Sequence, residues 1–234
     1  MDVAKGKIIS IAPKPSLCMT IGATLIVATQ ILVSLVTYPF LPSIVPSHWN
    51  AIGQIDGYAP KVLLAILWPL VSAASYSFLI LMMSISPRLG FQRPEKTQAI
   101  TQQLSLATLL FLLVIQLTAT AIALGFHIDI TFIISLGLSI LLIFTGNYMG
   151  KLRRNYWAGI RTPWTIASDV VWERTHRFAS WLFVGTGLVG IAMSFVPIAH
   201  IWAMIALFIV VSVIPALYSY KIYRQQSFRE RTQC

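Results

Sequence analysis

Long apolar stretches alternate with short polar segments along the whole chain. Six stretches are long enough to cross a bilayer as helices, because the hydrocarbon core is about 30 Å thick and requires about 20 apolar residues. They cover residues 16–39, 61–84, 103–126, 130–149, 178–197 and 198–220. None of them has Asp, Glu, Lys or Arg near its middle. The pattern predicts an all-α membrane protein, a six-transmembrane-helix bundle that forms one polytopic domain over residues 1–234.

The composition supports a membrane protein over a soluble one. The chain is 57% hydrophobic and 10% charged, whereas soluble domains carry about 25% charged residues. The first apolar stretch follows basic residues, as a signal peptide would, but its run is too long and no small-x-small cleavage site follows it. We therefore interpret it as a retained helix. Pro197 lies at the boundary between the last two stretches and cannot continue a helix, so we predict a tight helical hairpin there.

The basic residues predict an orientation. The chain has 17 Lys and Arg residues, and in the six-span topology all of them except Lys61 lie on one side. By the positive-inside rule both termini are cytoplasmic, and the predicted location is a plasma membrane. This bias explains the net charge of +10 without a nucleic-acid partner. Cys18 and Cys234 would both lie on the cytoplasmic side, and we interpret them as free thiols.

One polar loop, residues 40–61, lies on the predicted outer face. Its prolines favour extended chain, and Asp56-Gly57, with Gly53 as a second candidate, indicates a turn. We expect a compact, ordered loop that either recognises a partner or caps the helix ends. A catalytic alternative pairs His48 with Asp56 as a base and uses Ser43 or Ser47 as the nucleophile.

The second polar loop, residues 146–178, is predicted to be cytoplasmic. Asn147, Lys151 and Asn155 are spaced to form one polar stripe as the fourth helix leaves the membrane. Thr162 and Pro163 have the types expected at an N-cap and at the first helical position. We predict an amphipathic helix from there to Phe178 at the inner interface, which either anchors the loop or docks a cytoplasmic protein.

Other polar groups give weaker indications. Glu173 and His176 have a spacing seen in carboxylate metal sites, but the membrane segments supply no further carboxylate, so we predict no metal and no cofactor. Glu173 and Arg177 are spaced for an ion pair. Gln30 and Gln116 are expected to hydrogen-bond across helices. The lack of ionisable groups at mid-membrane depth argues against an ion-driven transporter.

The two loops together resemble the signatures of the SdpI family of bacterial immunity proteins. The outer loop has the motif VPSHWN followed by Asp-Gly and Lys, and the cytoplasmic loop has GIRTPW followed by Trp and Thr-His-Arg. On the outer side the resemblance selects Pro46, His48, Asn50, Gly53, Asp56, Gly57 and Lys61 as candidate binding residues. On the cytoplasmic side it selects Asn147, Lys151, Asn155, Gly159, Arg161, Thr162, Pro163, Trp164, Trp172 and His176.

This resemblance implies a non-enzymatic membrane protein that protects a bacterium against a secreted peptide toxin. It further implies a signal transducer, because the founding member, when loaded with toxin, holds a winged-helix autorepressor at the membrane. The expected partners are the lipid bilayer, the toxin and such a repressor. Two alternatives stay open: a membrane-embedded enzyme that acts on lipid or peptide at the outer face, and a small transporter.

Overall fold

The computed structural model describes residues 15–85, 94–156, 158–196 and 200–232. Six of its helices are long and apolar enough to cross a membrane, which confirms the predicted bundle of six spans. A seventh, short α-helix, a 3-10 turn at Tyr38–Phe40 and one two-stranded antiparallel sheet complete the described elements. In chain order these are α1 Leu17–Thr37, β1 Ile44–Trp49, β2 Ile55–Pro60, α2 Lys61–Ile85, α3 Pro94–Ala123, α4 Ile130–Met149, α5 Pro163–Ala167, α6 Asp169–Ser194 and α7 His200–Thr232.

Three helices are longer than predicted, and all three extend at the same end of the bundle. α3 begins at Pro94 instead of 103, α6 begins at Asp169 instead of 178, and α7 continues to Thr232 instead of 220. The prediction counted apolar residues only, so it stopped where polar residues begin. A helix can continue through polar residues when neighbouring helices or water supply hydrogen-bond partners for their side chains. The three helices therefore extend beyond their apolar spans.

The helix directions place the two polar loops at opposite ends. The end that carries β1, β2 and the α3–α4 connection is called the hairpin end, and the end that carries residues 150–168 is called the basic end. A Cβ on Gly53 would lie 3.4 Å from Asp129 and Thr131, so the tip of the β-hairpin rests beside the start of α4. At the basic end, the backbone N–H of Arg153 donates to Thr97 Oγ1 of α3 over 3.2 Å.

A polar network joins α1, α2 and α3 inside the membrane. Pro69 lies within α2 and has no N–H to bond the carbonyl of Ala65. Ser34 Oγ donates to that carbonyl over 2.7 Å instead. Gln116 Nε2 donates to Ser34 Oγ over 3.0 Å and to the carbonyl of Gln30 over 2.9 Å. The predicted interhelical hydrogen bond of Gln116 is therefore confirmed, whereas the buried Gln30 amide has no partner among the described residues.

Close backbone packing joins α4 to α6. Ser180 Oγ of α6 donates to the carbonyl of Gly146 over 2.6 Å. A Cβ on Gly146 would lie 2.9 Å from the backbone of α6 at Ser180, a distance that side chains essentially never adopt. Small residues at such a crossing allow two membrane helices to approach closely. This contact holds the basic end of α6 against the end of α4, where the second signature region begins.

Some predictions fall on residues outside the described ranges. They are the basic residues of the N-terminus and of the α2–α3 connection, the turn at Pro197, and Cys234. Cys18 is exposed at the start of α1 and is a free cysteine, as predicted.

Candidate functional site

The loop at the hairpin end is a β-hairpin whose turn is built by Asn50. Its Oδ1 accepts from the backbone N–H groups of Ile52 and Gln54 over 3.1 and 3.0 Å. The backbone N–H of Asn50 donates to Gln54 O over 2.9 Å. Gly53 has φ +80°, in the left-handed region that favours glycine. Gly53 is therefore the turn residue, and the prediction of a turn at Asp56-Gly57 is wrong, since both residues lie within β2.

His48 and Asp56 form an exposed pair across the hairpin. His48 Nδ1 donates to Asp56 Oδ1 over 2.5 Å, with 71% and 43% of the two side chains exposed. His48 lies opposite Gly57, and the strand register shifts on both sides of His48. A Cβ on Gly57 would lie 2.8 Å from His48 Cβ, so a glycine at this position makes room for the histidine. The motif thus places an imidazole and a carboxylate together on the surface.

Lys61 attaches the hairpin to the bundle. Its Nζ donates to the carbonyls of Tyr38 and Leu41 over 3.0 and 3.1 Å and lies 4.5 Å from the centroid of the Tyr38 ring. Tyr38 is the C-cap of α1 and Leu41 that of the 3-10 turn after it, so the cation satisfies carbonyls at the ends of two successive helical segments. On the inward face, Val45 is 1% exposed and packs with Leu41 and Leu64. The predicted ordered loop is therefore held by one cation and one small apolar cluster.

The rest of the hairpin surface is apolar. Pro46 is half-buried in β1 opposite Tyr58. Large apolar side chains are exposed along the hairpin and just before it, at Phe40, Ile44, Ile52, Ile55 and Tyr58. Next to them, α1 and α2 enclose an apolar groove of about 520 Å³ that begins at Tyr38 and Pro39. The hairpin end thus combines a polar pair with an apolar surface that continues between two helices.

The hairpin contacts give the catalytic alternative only two of its three groups. Within residues 15–85, which are all described, neither Ser43 nor Ser47 hydrogen-bonds His48. A Ser–His–Asp mechanism requires the imidazole to accept the serine proton. The paired His48 and Asp56 could act as a base, but no hydroxyl among the described residues hydrogen-bonds the imidazole.

At the basic end the polar stripe predicted on α4 does not form. α4 ends at Met149, so Asn147 is on the helix while Lys151 and Asn155 follow in irregular chain. Asn155 is buried and bonds the chain to itself, since its Nδ2 donates to Arg153 O and its Oδ1 accepts from Ala158 N–H, both over 2.7 Å. The i, i+4 spacing did not predict a helix face correctly, because the side chain of Asn155 hydrogen-bonds the backbone of a turn and α4 has already ended.

The predicted helix start at Thr162 and Pro163 is confirmed. Thr162 Oγ1 accepts from Thr165 N–H over 3.2 Å and Thr165 Oγ1 accepts from Thr162 N–H over 2.9 Å, which is a reciprocal capping box. α5 is short, however, and Ser168 caps a new helix, α6. The predicted interfacial helix to Phe178 is therefore two pieces, and the second one continues into a membrane span.

His176 connects α6 to the loop before α5. It is fully buried and stacks on Trp172 with ring centroids 4.0 Å apart. Its Nε2 accepts from the backbone N–H of Ile160 over 3.0 Å, and its Nδ1 lies 2.8 Å from Trp172 O. Because an amide N–H can only donate, Nε2 carries no proton, and Nδ1 donates to the carbonyl. Both ring nitrogens are engaged, so His176 is not available as a metal ligand.

Gly159 and Trp172 complete this buried cluster. Gly159 has φ +102°, and an added Cβ would collide with His176 Nε2. Trp172 is 2% exposed, and its Nε1 donates to Leu152 O over 2.9 Å. The cluster of Gly159, Trp172 and His176 is therefore a structural junction between α4, the loop and α6.

The remaining candidates at this end are accessible. Lys151 lies with its Nζ 5.1 Å from the Tyr148 ring centroid, and Arg161 donates from Nη1 to Tyr156 O over 2.5 Å. Asn147 is exposed and donates to Ile143 O over 3.0 Å. Trp164 is half-buried with its ring 4.9 Å from that of Tyr220.

Sequence reasoning missed the contribution of α7 and one ion pair. Ser219 Oγ lies 3.0 Å from Thr162 Oγ1, and Ser168 Oγ donates to Gln226 Oε1 over 2.8 Å. Arg154 Nε lies 2.8 Å from Asp169 Oδ1. The expected Glu173–Arg177 ion pair is absent from the described side chains. Polar residues at the end of α7 were the available signal, but their partners lie more than fifty positions away in the chain.

Comparison with known proteins matches both signature regions. A family model described as the SdpI/YfhL protein family matches residues 151–219, and a domain of unknown function, DUF1648, matches residues 25–73. The chain is 32% identical to the immunity protein SdpI of Bacillus subtilis (strain 168) over 202 residues, which cover 86% of this chain and 94% of that protein. No solved structure matches the chain significantly.

Proposed function

The chain belongs to the SdpI family of membrane immunity proteins, and we propose that it protects a bacterium against a secreted peptide toxin. The observation that carries this proposal is similarity to an immunity protein over 86% of the chain, with both signature regions folded as ordered structures at opposite ends of a six-span bundle. In this proposal the protein lies in the plasma membrane, with the hairpin end outside and both termini in the cytoplasm.

The hairpin end is the proposed toxin contact. His48 and Asp56 are exposed together, and the same hairpin exposes the apolar side chains of Ile44, Ile52, Ile55 and Tyr58. A peptide that damages membranes must carry apolar residues, and the exposed surface around Tyr58 and the groove that starts at Tyr38 could accept them. The hairpin is built and anchored by Asn50, Gly53, Gly57 and Lys61. Pro46 is half-buried in β1 opposite Tyr58.

Signalling is proposed as a second activity at the basic end. A cytoplasmic winged-helix repressor would dock on the accessible residues there, of which Lys151, Arg161 and Trp164 are the candidates. The other signature residues at this end, Asn155, Gly159, Thr162, Pro163, Trp172 and His176, are engaged in holding the fold. Asn147 is exposed but bonds its own helix. Docking would depend on toxin only if the repressor bound two states of the bundle unequally.

The test is a protection assay with matched variants. The chain is expressed in a toxin-sensitive bacterium that is challenged with a panel of secreted peptide toxins. We expect survival with the parent chain and its loss with His48→Ala, at equal membrane abundance. Ser47→Ala, an exposed neighbour on the same strand, is the control and should protect normally. Equal protection by His48→Ala and the parent would remove the hairpin pair from the mechanism.

An enzyme at the hairpin end is the second candidate, because His48 and Asp56 are paired in the geometry of a general base. The family is not an enzyme family, and the pair lacks a bonded nucleophile, so we rank this function below immunity. The two differ in one readout. An enzyme would turn over a lipid or peptide added in excess, whereas an immunity protein would saturate at a fixed ratio of toxin to protein.

A further inference from the structure

A cleft of about 540 Å³ opens at the basic end, away from the hairpin. The first turns of α3, the segment 150–154 that follows α4, and the start of α6 form its walls. This cleft is separate from the surface proposed to meet a toxin, and it is built from charged side chains above an apolar floor.

The floor of the cleft places it at the membrane boundary. Ile100, Leu152 and Trp172 line it and are 8%, 4% and 2% exposed. The adjoining Met149 is the last residue of the apolar helix α4. Because α4 is an apolar span along its whole length, its end marks the edge of the hydrocarbon, and the charged groups that directly follow it lie at headgroup depth. A ligand in this cleft would thus meet charge and apolar surface together.

The charged groups of the cleft are of both signs and are not all paired. Arg154 and Asp169 bond each other over 2.8 Å and so neutralise each other. Lys151 and Arg153 lie on one wall and Glu173 on the other, and these three make no ion pair with any residue that the structure describes. Two basic residues and one acidic residue without an ion-pair partner among the described residues therefore line the same cleft.

We propose that this cleft binds the headgroup of a phospholipid that carries a phosphate and a primary ammonium. The phosphate would contact Lys151 and Arg153, and the ammonium would donate to Glu173. A headgroup that carries only a phosphate would bind less well. It would bring a negative charge close to Glu173 and would offer that carboxylate no hydrogen-bond donor. The apolar floor and the adjoining end of α4 favour a lipid over a soluble compound or a protein segment, because acyl chains would continue from the cleft along the membrane helices.

The proposal is tested with the full chain purified in a neutral detergent. Short-chain phosphatidylethanolamine, phosphatidylcholine and phosphatidylglycerol are added separately, and the thermal unfolding midpoint is measured together with lipid retention in native mass spectrometry. We expect phosphatidylethanolamine to raise the midpoint by about 5 °C or more near saturation. Phosphatidylcholine has the same phosphate but a quaternary ammonium that cannot donate a hydrogen bond, so its effect should be smaller, as should that of phosphatidylglycerol.

Variants identify the groups that bind. Lys151→Gln combined with Arg153→Gln should reduce retention of all three lipids by about tenfold or more. Arg224→Gln, which removes a cation of α7 outside the cleft, is the matched control and should retain them normally. Glu173→Gln should keep phosphatidylglycerol binding and lose the preference for phosphatidylethanolamine. The midpoint of each variant without lipid shows whether it folds.

Three results would overturn the proposal. A preference for phosphatidylglycerol that ignores Glu173 would mean that the cleft recognises anionic lipid only. An equal midpoint shift with soluble phosphoethanolamine would mean that the acyl chains play no part. If the lipid effects did not depend on Lys151, Arg153 and Glu173, the cleft would not be a lipid site. It would then be occupied by a protein segment or by water.

Discussion

At the hairpin end, β1 and β2 pair only with each other, and the polar side chains His48 and Asp56 stand in solvent. At the basic end, the polar side chains Asn155 and His176 are buried, and they hydrogen-bond the backbone of the loop before α5 and of α6. The same kinds of residue are therefore exposed at one end and buried at the other. We propose that the buried signature residues build the fold and that the exposed ones meet a partner.

This difference predicts how substitutions will divide. Changes at the buried junction of the basic end should lower stability and so reduce membrane abundance. Changes at the exposed pair of the hairpin should leave stability intact and alter protection alone. Each substitution below tests one side of that division, in order of decreasing effect on stability.

Gly159→Ala should have the largest effect. The backbone at Gly159 has φ +102°, and the new methyl group would collide with His176. The left-handed conformation alone costs about 1–2 kcal/mol for a residue with a side chain, and the collision adds to it. We expect the free energy of unfolding to fall by more than about 2 kcal/mol, measured as the thermal midpoint of the detergent-solubilised protein.

Gly125→Ala is the matched control for that change. Gly125 has φ +96°, but a Cβ there would have no other atom within 4 Å. It therefore carries the backbone strain without the collision, and its midpoint should fall clearly less. If both substitutions lowered the midpoint equally, the contact between Gly159 and His176 would not be holding the basic end together.

Lys61→Met should have an intermediate effect, and it tests whether the hairpin end also depends on a single side-chain attachment. The substitution removes two charged hydrogen bonds to the carbonyls of Tyr38 and Leu41. Hydrogen bonds that involve a charged group contribute about 1.5–3 kcal/mol. Since Lys61 is only half-buried, we expect a loss near the lower bound, with protection reduced because the hairpin is released.

Lys221→Met removes a lysine from the exposed surface of α7 and controls for the loss of charge. Its midpoint should stay close to that of the parent chain. A Lys61→Met protein as stable as the Lys221→Met protein would show that the small apolar cluster around Val45 is sufficient to hold the hairpin.

Much of the architecture was predictable from the sequence because membrane helices are long and apolar. The six spans and the helix start at Thr162 rest on local signals, namely apolar length and the hydrogen-bonding capacity of a threonine before a proline. The ends of α3, α6 and α7 were not predictable in this way, since their polar turns gain support from neighbouring helices.

The family resemblance selected candidate residues, but the sequence does not show which of them are exposed. It selected His48 and His176 alike, and nothing in the local sequence says that one is exposed and the other buried. That distinction comes from tertiary contacts, such as the approach of Ile160 N–H to His176 and of Gly57 to His48. The Ser219 and Gln226 contacts of α7 were missed for the same reason, because no local spacing reveals a partner so distant in the chain.

Asp56→Asn should have the smallest effect on stability and gives the sharpest test of the comparison. The His48–Asp56 pair is exposed, and exposed pairs contribute about 0–1 kcal/mol, while asparagine keeps the size of the side chain and an oxygen acceptor. The thermal midpoint should therefore be unchanged within error, and protection against the cognate toxin should fall.

Asn155→Asp is the matching substitution at the basic end, and the opposite result is expected. There a buried amide that donates to Arg153 O becomes a carboxylate, which cannot donate and faces that carbonyl, so the midpoint should drop. If Asp56→Asn instead lowered stability as much as Asn155→Asp does, the hairpin pair would be part of the scaffold, and the contact for a toxin would have to be sought among the apolar residues around it.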